Sequence, residues 1–280
     1  MPSSKRSPLQ APGGNDRQAV NIDGLHIAYQ RIGEGPPLLL LHGFFGDSRV
    51  WSKQLAGLSS EFDVIAWDAP GCGQSSDPPE TFRMPDYARC LSLFIKALGL
   101  VRPHVLGLSF GSTLSLELYR QNPGLCRTMV LAAAYAGWSG SLPADVVEQR
   151  LRKTIPDLDL PAAEVVTIYN VPGLLTESAP RATVDENAAI MSEFHPSGMK
   201  SMTRALAEAD LREVLPRIDV PTLLLYGDKD VRSPLTVGEE LHARIPGSRL
   251  VVMPGVGHLS NFEAADRFNA EVSGFLRSRQ

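Results

Sequence analysis

The stretch His104-Val105-Leu106-Gly107-Leu108-Ser109-Phe110-Gly111-Ser112 passes from an unbroken apolar run into a helical pattern within a single turn. The helical pattern continues over 112–121 and stops before Asn122-Pro123, because the residue ahead of a proline is pushed out of the helical region. Strand, sharp turn and helix make one βα unit of a mostly parallel sheet. The turn carries Gly-x-Ser-x-Gly at 107–111. A pattern this short arises by chance, and a serine opening a helix is most simply its N-cap. Its context supports a second reading. A serine on so sharp a turn sits near strained backbone, and glycines on both sides let the flanking chain pass closely. The helix N-terminus behind it favours developing negative charge.

Working outward, further short apolar runs occupy 38–41, 64–67, 129–133, 222–226 and 250–253. None alternates with polar residues, as expected for strands covered on both faces. Ahead of them, 20–22 and 25–32 flank Asp23-Gly24, a dipeptide suited to the positive backbone angles of a hairpin turn. Helical patterns lie between the runs. From Pro85, the residues Tyr87, Leu91, Phe94, Ile95 and Leu98 share one face, with Gly99 at the end. Near the C-terminus, Ser260 and Glu263 have capping-box spacing ahead of an apolar helical face.

The alternation breaks once, between Ala134 and Thr222, where a proline-punctuated helical stretch has no strand pattern. So long a segment without structure of its own is implausible. The expected architecture is therefore α/β: a mostly parallel central sheet, helices on both faces, and an inserted helical cap. Residues 1–18 read as a disordered tail, 19–135 and 203–280 as the core domain, and 136–202 as the cap.

Composition excludes several classes. Of 280 residues, 43% are hydrophobic and 21% charged, which argues against wholesale disorder. Lys plus Arg number 27 against 31 Asp plus Glu, so a nucleic-acid partner held by a broad basic face is not expected. No apolar run reaches the roughly 18 residues of a membrane span, and the N-terminal residues lack a signal-peptide core. Three scattered cysteines suit a reducing, cytoplasmic setting.

A serine hydroxyl needs a base, and the base needs an orienting carboxylate. His258 lies in a glycine-rich turn after the last apolar run, a better placement than those of His26, His104, His195 or His242. Asp228 and Asp230 both follow the run ending at Tyr226, at a carboxyl strand end where open α/β sheets place their sites. One of the two is expected to serve the turn, and Asp228 is the better candidate for that. His42-Gly43-Phe44-Phe45-Gly46 follows another run, so the Phe44 amide, with that of Phe110 after the serine, can donate to an oxyanion. Asp68 to Ser75 forms a tight loop without a phosphate-binding lysine, and Cys72 within it has no base partner.

Taken together, HGFF at 42–45, DAPGCGQS at 68–75, GLSFG at 107–111, YGDKD at 226–230 and GVGH at 255–258 resemble the successive motifs of the α/β-hydrolase superfamily. The resemblance implies Ser109 as nucleophile, Asp230 as orienting acid, His258 as general base, Phe44 and Phe110 as oxyanion donors, and a cap that selects substrate. A serine at 109 disfavours epoxide hydrolases and haloalkane dehalogenases, which use aspartate there. Leu259 departs from the tryptophan typical of ring-cleavage C–C hydrolases. The stretch from His258 to Glu263 is similar to that of 3-oxoadipate enol-lactonases, within a carboxylesterase-like group. The expectation is a serine hydrolase for small, fairly apolar esters or lactones, with Phe44, Phe45, Trp138, Tyr169 and Phe194 as pocket walls. No metal or nucleotide cofactor is implied. The same triad would serve a C–C bond hydrolase or a cofactor-free perhydrolase, and the same scaffold could carry a ligand-binding receptor.

Overall fold

The computed structural model describes residues 17–279. The expected tail lies almost wholly outside the described residues, and Gln18 at its end already belongs to a strand. Eight strands form one sheet: β1 Gln18–Ile22, β2 Leu25–Ile32, β3 Pro37–Leu41, β4 Asp63–Trp67, β5 His104–Leu108, β6 Thr128–Ala132, β7 Thr222–Gly227 and β8 Arg249–Met253. Their spatial order is β1-β2-β4-β3-β5-β6-β7-β8. The β1–β2 and β2–β4 pairs are antiparallel and the remaining pairs parallel. Asp23 and Gly24, at φ 50° and 88°, make the expected two-residue hairpin between β1 and β2.

Among the described residues ten α-helices accompany the sheet: α1 Ser52–Leu58, α2 Met84–Ala97, α3 Phe110–Gln121, α4 Ala144–Asp157, α5 Ala162–Tyr169, α6 Arg181–Met191, α7 Pro196–Glu208, α8 Leu235–Arg244, α9 Ser260–Glu263 and α10 Ala265–Arg277. From β3 the chain crosses through α1 to β4 on one side. From β5 it crosses through α3 to β6 on the other. Right-handed crossovers running in opposite directions put α1 and α3 on opposite faces of the sheet. The reversal falls between the neighbours β3 and β5, so the loops leaving those two strands flank the crevice where such sheets bind ligands.

The helices α4 to α7 form the single insertion, between β6 and β7. Met202, the expected end of the cap, falls inside α7, which continues to Glu208. Its buried face (Met199, Met202, Ala205, Leu206) runs past that point without interruption. No helix among the described residues is long and apolar enough to cross a membrane.

The central strands are packed on both faces, with every residue of β4, β5, β6 and β7 buried. One polar side chain sits at the start of β5. His104 hydrogen-bonds Thr128 Oγ1 on β6 through Nδ1 at 2.8 Å, while its Nε2 is buried without a partner. Burial, with Arg127 nearby, lowers its pKa from 6.5 to about 4. The unfolded chain therefore takes up this proton at a higher pH than the fold does, and stability is lost as pH falls below 6.5 toward 4. Between pH 7.5 and 5.5, where carboxylates barely titrate, His104 alone costs about 1 kcal/mol. Thermal unfolding midpoints at those two values should fall for the native chain and fall less for His104→Gln. Equal declines would show that His104 is not responsible.

Candidate active site

Ser109 lies between β5 and α3 with φ 54° and ψ −110°, a conformation glycine adopts freely and serine does not. Its N–H donates to the Ala132 carbonyl at the end of β6 (2.9 Å). Its own carbonyl accepts from Ser112 N (3.0 Å), Thr113 N (3.2 Å) and Ser112 Oγ (2.5 Å). The flanking glycines are required by close approach. A Cβ on Gly107 would strike the Gly111 carbonyl, and one on Gly111 would strike the Leu41 carbonyl at the end of β3. The turn is thus wedged against the neighbouring strand.

The β3 loop sits directly beside it, since a Cβ on Gly43 would stand 3.3 Å from the Ser109 Cβ. The Gly43 carbonyl accepts from Gly46 N (3.3 Å) and from His42 Nδ1 (2.8 Å), and Phe45 takes φ 60°. Neither the Phe44 nor the Phe110 amide donates to any acceptor among the described residues, so both N–H groups remain available. His42 is a tether. Its Nδ1–H donates to Gly43 while Nε2 accepts from Ala69 N (3.0 Å), which fixes the neutral tautomer. Burial lowers its pKa accordingly.

Asp68, fully buried, organises the adjacent loop by accepting from Ser48 N (2.7 Å) and Gln74 N (2.9 Å). Its neighbour Cys72 is buried, and burial pushes its thiol pKa well up, the opposite of an activated nucleophile.

His258 Nδ1 lies 2.8 Å from Asp230 Oδ2 and 3.0 Å from Oδ1. Asp230 Oδ1 also accepts from the backbone of Arg232 and Ser233, each at 2.8 Å. Two N–H donors and the imidazole hold that carboxylate in place. Ser109 Oγ and His258 Nε2 form no hydrogen bond with the described residues, yet neither is among the buried polar atoms left without a partner. Solvent therefore reaches both. Asp228 points elsewhere and caps the turn before His258 by accepting from Gly255 N (2.7 Å).

Glu263 does something the sequence spacing did not reveal. The first turn of α9 is not a capping box. Ser260 is already inside the helix, with Leu259 at the cap position and the Ser260 hydroxyl buried without a partner. The Glu263 carboxylate instead accepts from Thr176 N (2.5 Å), Thr176 Oγ1 (3.1 Å) and Gly257 N (3.1 Å). It ties the inserted segment to the residue before His258, and Leu259 N adds a bond to the Leu174 carbonyl (3.1 Å). Only a long-range contact, invisible to local spacing, distinguishes the two roles.

Four of the five expected wall residues form one aromatic cluster. Phe45 lies 4.4 Å from Phe44, 5.0 Å from Tyr169 and 5.6 Å from Phe194, ring centre to ring centre. Trp138 stands apart, against Arg150 of α4. A cleft of about 420 Å³ opens beside His258, lined also by Leu174, Thr176, Lys229 and Val231. Neither Ser109 nor the two phenylalanine amides line it.

A parallel sheet presenting a strained serine beside a histidine backed by a buried carboxylate defines an enzyme scaffold of the hydrolase kind. Residues 36–265 match the alpha/beta hydrolase fold family, and the chain belongs to that family. Among curated relatives, the serine hydrolase BPHL of Mus musculus is 28% identical over 92% of this chain and 85% of its own. A Pseudomonas savastanoi pv. phaseolicola protein, RutD, named provisionally as a carbamate hydrolase, is 29% identical over 88% of this chain and 95% of its own. A thermophilic esterase from Thermogutta terrifontis superposes with a TM-score of 0.86 at 26% identity, covering 94% of this chain and 98% of that one. These likenesses support a hydrolytic enzyme.

Replacing Glu263 by alanine should speed hydrogen exchange at the Thr176 and Gly257 amides by at least about tenfold, the loss of one charge-assisted bond. Ser260→Ala should leave exchange and thermal stability within about 0.5 kcal/mol of the native chain. If Ser260→Ala were the more damaging change, a capping box would be operating after all.

Proposed function

We propose that the protein is a serine hydrolase that cleaves carboxylic ester or lactone bonds of small, fairly apolar molecules through an acyl-enzyme. The observation that carries this reading is the state of the His258 ring. Nδ1 is committed to Asp230, whereas Nε2 is left free and open to solvent. An imidazole held this way keeps Nδ1–H on the carboxylate and has one proton acceptor to offer, at Nε2.

In this mechanism Nε2 takes the Ser109 hydroxyl proton as Oγ attacks the substrate carbonyl. The tetrahedral oxyanion is met by the Phe44 and Phe110 N–H groups, each worth roughly 3 kcal/mol in the transition state. Their availability costs no reorganisation, because neither has a protein acceptor to give up. The proton on Nε2 then passes to the leaving alcohol. Water then attacks the acyl carbon, losing its proton to the same nitrogen, and the acyl–Oγ bond breaks to release the acid as that proton returns to Ser109 Oγ. The N-terminus of α3 behind Ser109 adds a favourable dipole for the developing charge. The cap, contributing Tyr169 and Phe194, encloses an apolar acyl or alcohol group against Phe45. The same triad and free amides would serve a C–C bond hydrolase or a perhydrolase; the ester reading draws its support from the serine hydrolase and esterase relatives.

With 4-nitrophenyl butyrate, Ser109→Ala should reduce turnover by roughly 10⁴-fold or more. A fluorophosphonate probe should label the native chain at Ser109 alone. Asp230→Asn should lower kcat by about 10³- to 10⁴-fold by leaving the imidazole in the wrong tautomer. Asp228→Asn, whose carboxylate meets Gly255 N and Lys229 and not His258, should cost less than about tenfold. Native turnover in Ser109→Ala, or Asp228 proving the costlier of the two aspartates, would overturn the assignment.

A further inference from the structure

Arg232 follows Asp230 by two residues on the loop leaving β7, and its backbone N–H is one of the two that hold the Asp230 carboxylate. Its side chain is half-buried, with the guanidinium 5.4 Å from the centre of the Tyr169 ring. Arg150, on α4, approaches from the insertion. It donates to the Arg232 carbonyl (2.9 Å) and to Tyr135 Oη (3.2 Å), and its guanidinium lies 5.3 Å from the Trp138 ring centre.

Among the described residues, neither guanidinium has a carboxylate within 4.0 Å. Other partly buried arginines of this chain do. Arg31 pairs with Asp63 at 2.6 Å and Arg49 with Asp47 at 2.6 Å. The side-chain nitrogens of Arg232 make no hydrogen bond with the described residues, yet none is among the sealed, unpartnered polar atoms. They face space that solvent enters. Burial, and after it the like charge of Arg150, holds the Arg232 pKa below its ordinary value. A half-buried cation beside a second cation, with its donors unused, is a costly arrangement that an anion would relieve.

The location ties this pair to the site. The Tyr169 ring that carries Arg232 on one side packs against Phe45, 5.0 Å away, and Phe45 adjoins the candidate oxyanion donor Phe44. The charge count indicates the kind of anion. Arg150 and Arg232 bring two positive charges and Asp230 one negative, while Lys153 and Asp157 near Tyr169 pair with each other at 2.8 Å. The remainder is a single positive charge, suited to a monoanion. A phosphate dianion would overcompensate it and sit against Asp230.

We propose that Arg232, steadied by Arg150, is a binding subsite for a carboxylate carried by the substrate at the end remote from the bond that is cleaved. This rests on the serine hydrolase reading and narrows it: the substrate class is an ester or lactone whose apolar middle bears a terminal carboxylate. Tyr169 contacts that apolar portion while Arg232 forms the two parallel N–H···O bonds that a planar guanidinium offers a carboxylate.

The test compares 4-nitrophenyl half-esters of succinic, glutaric and adipic acid with the neutral 4-nitrophenyl butyrate, pentanoate and hexanoate. For at least one chain length the native enzyme should prefer the anionic ester by about tenfold or more in kcat/KM, chiefly through KM. Arg232→Gln should lower that anionic-to-neutral ratio by about 10- to 100-fold, and Arg150→Gln by a smaller factor. Higher salt should erode the preference. A native ratio near one at every length, or a ratio unmoved by both substitutions, overturns the subsite while leaving the hydrolase reading intact. If no ester of either series is turned over, the hydrolase reading fails and the subsite is judged by calorimetry with adipate. Binding that Arg232→Gln or Arg150→Gln abolishes upholds it, and no binding to the native chain overturns it.

Discussion

The carboxyl edge of the sheet depends on holding one residue, Ser109, in a backbone conformation that costs a non-glycine residue about 1–3 kcal/mol. Four hydrogen bonds offset that cost, one from its N–H to β6 and three into its carbonyl from the first turn of α3. The turn cannot relax away from β3, because the Gly111 backbone rests on the Leu41 carbonyl. Strain is not confined to this one residue. Phe45 after β3 and Ala133 after β6 also take positive φ, and those strands are the two neighbours of β5. Three adjacent strands therefore end in conformations the surrounding packing imposes, all at the edge where the candidate site lies. Strain at an edge persists only where neighbours over-determine it, and here the neighbours are the site's own loops.

Those loops have left the sheet and cannot use its ladder, so their backbone donors need other acceptors. Buried or half-buried carboxylates supply them. Asp68 receives the amides of Ser48 and Gln74, Asp230 those of Arg232 and Ser233, and Glu263 those of Thr176 and Gly257. Bonds to an ionised acceptor are about twice as strong as neutral ones, which suits segments with no other restraint. Only Asp230 adds an imidazole to its two amides. The chemical asymmetry among these acids thus comes from one side chain, His258, and not from the way each carboxylate is buried.

What could be read in advance follows from how local each signal is. Unbroken apolar runs marked the parallel strands, and Asp23-Gly24 marked the hairpin, because each is decided within a few residues. Asp230 and Asp228 could be ranked only loosely from their positions, since what separates them is a contact with a histidine 28 residues away. The capping box at Ser260 failed for the same reason. Its spacing is present, but Glu263 finds stronger donors in a segment 87 residues earlier. The expected end of the cap at Met202 falls within α7, which has no break there for a sequence pattern to register. Arg232 carried no signal at all. Its interest lies in the partners it lacks, and a missing partner is a property of three dimensions.

The insertion leaves and rejoins the core at one closed seam. Its two ends are stitched together, Leu211 N to the Ala136 carbonyl (2.8 Å) and Trp138 N to the Leu206 carbonyl (2.9 Å). Beneath this seam, the Ala134 carbonyl accepts from Tyr226 Oη (2.7 Å) and Ser233 Oγ (2.9 Å), which anchors the Asp230 loop to β6 whatever the insertion contains. A graft closed at its base can change helix by helix without moving the sheet edge. Tyr169, Phe194 and Arg150 all belong to the graft, whereas Ser109, Asp230 and His258 belong to the core. Arg232 belongs to the core yet stacks on the graft, so any change in the helices above it alters the environment of a charge fixed two residues from Asp230.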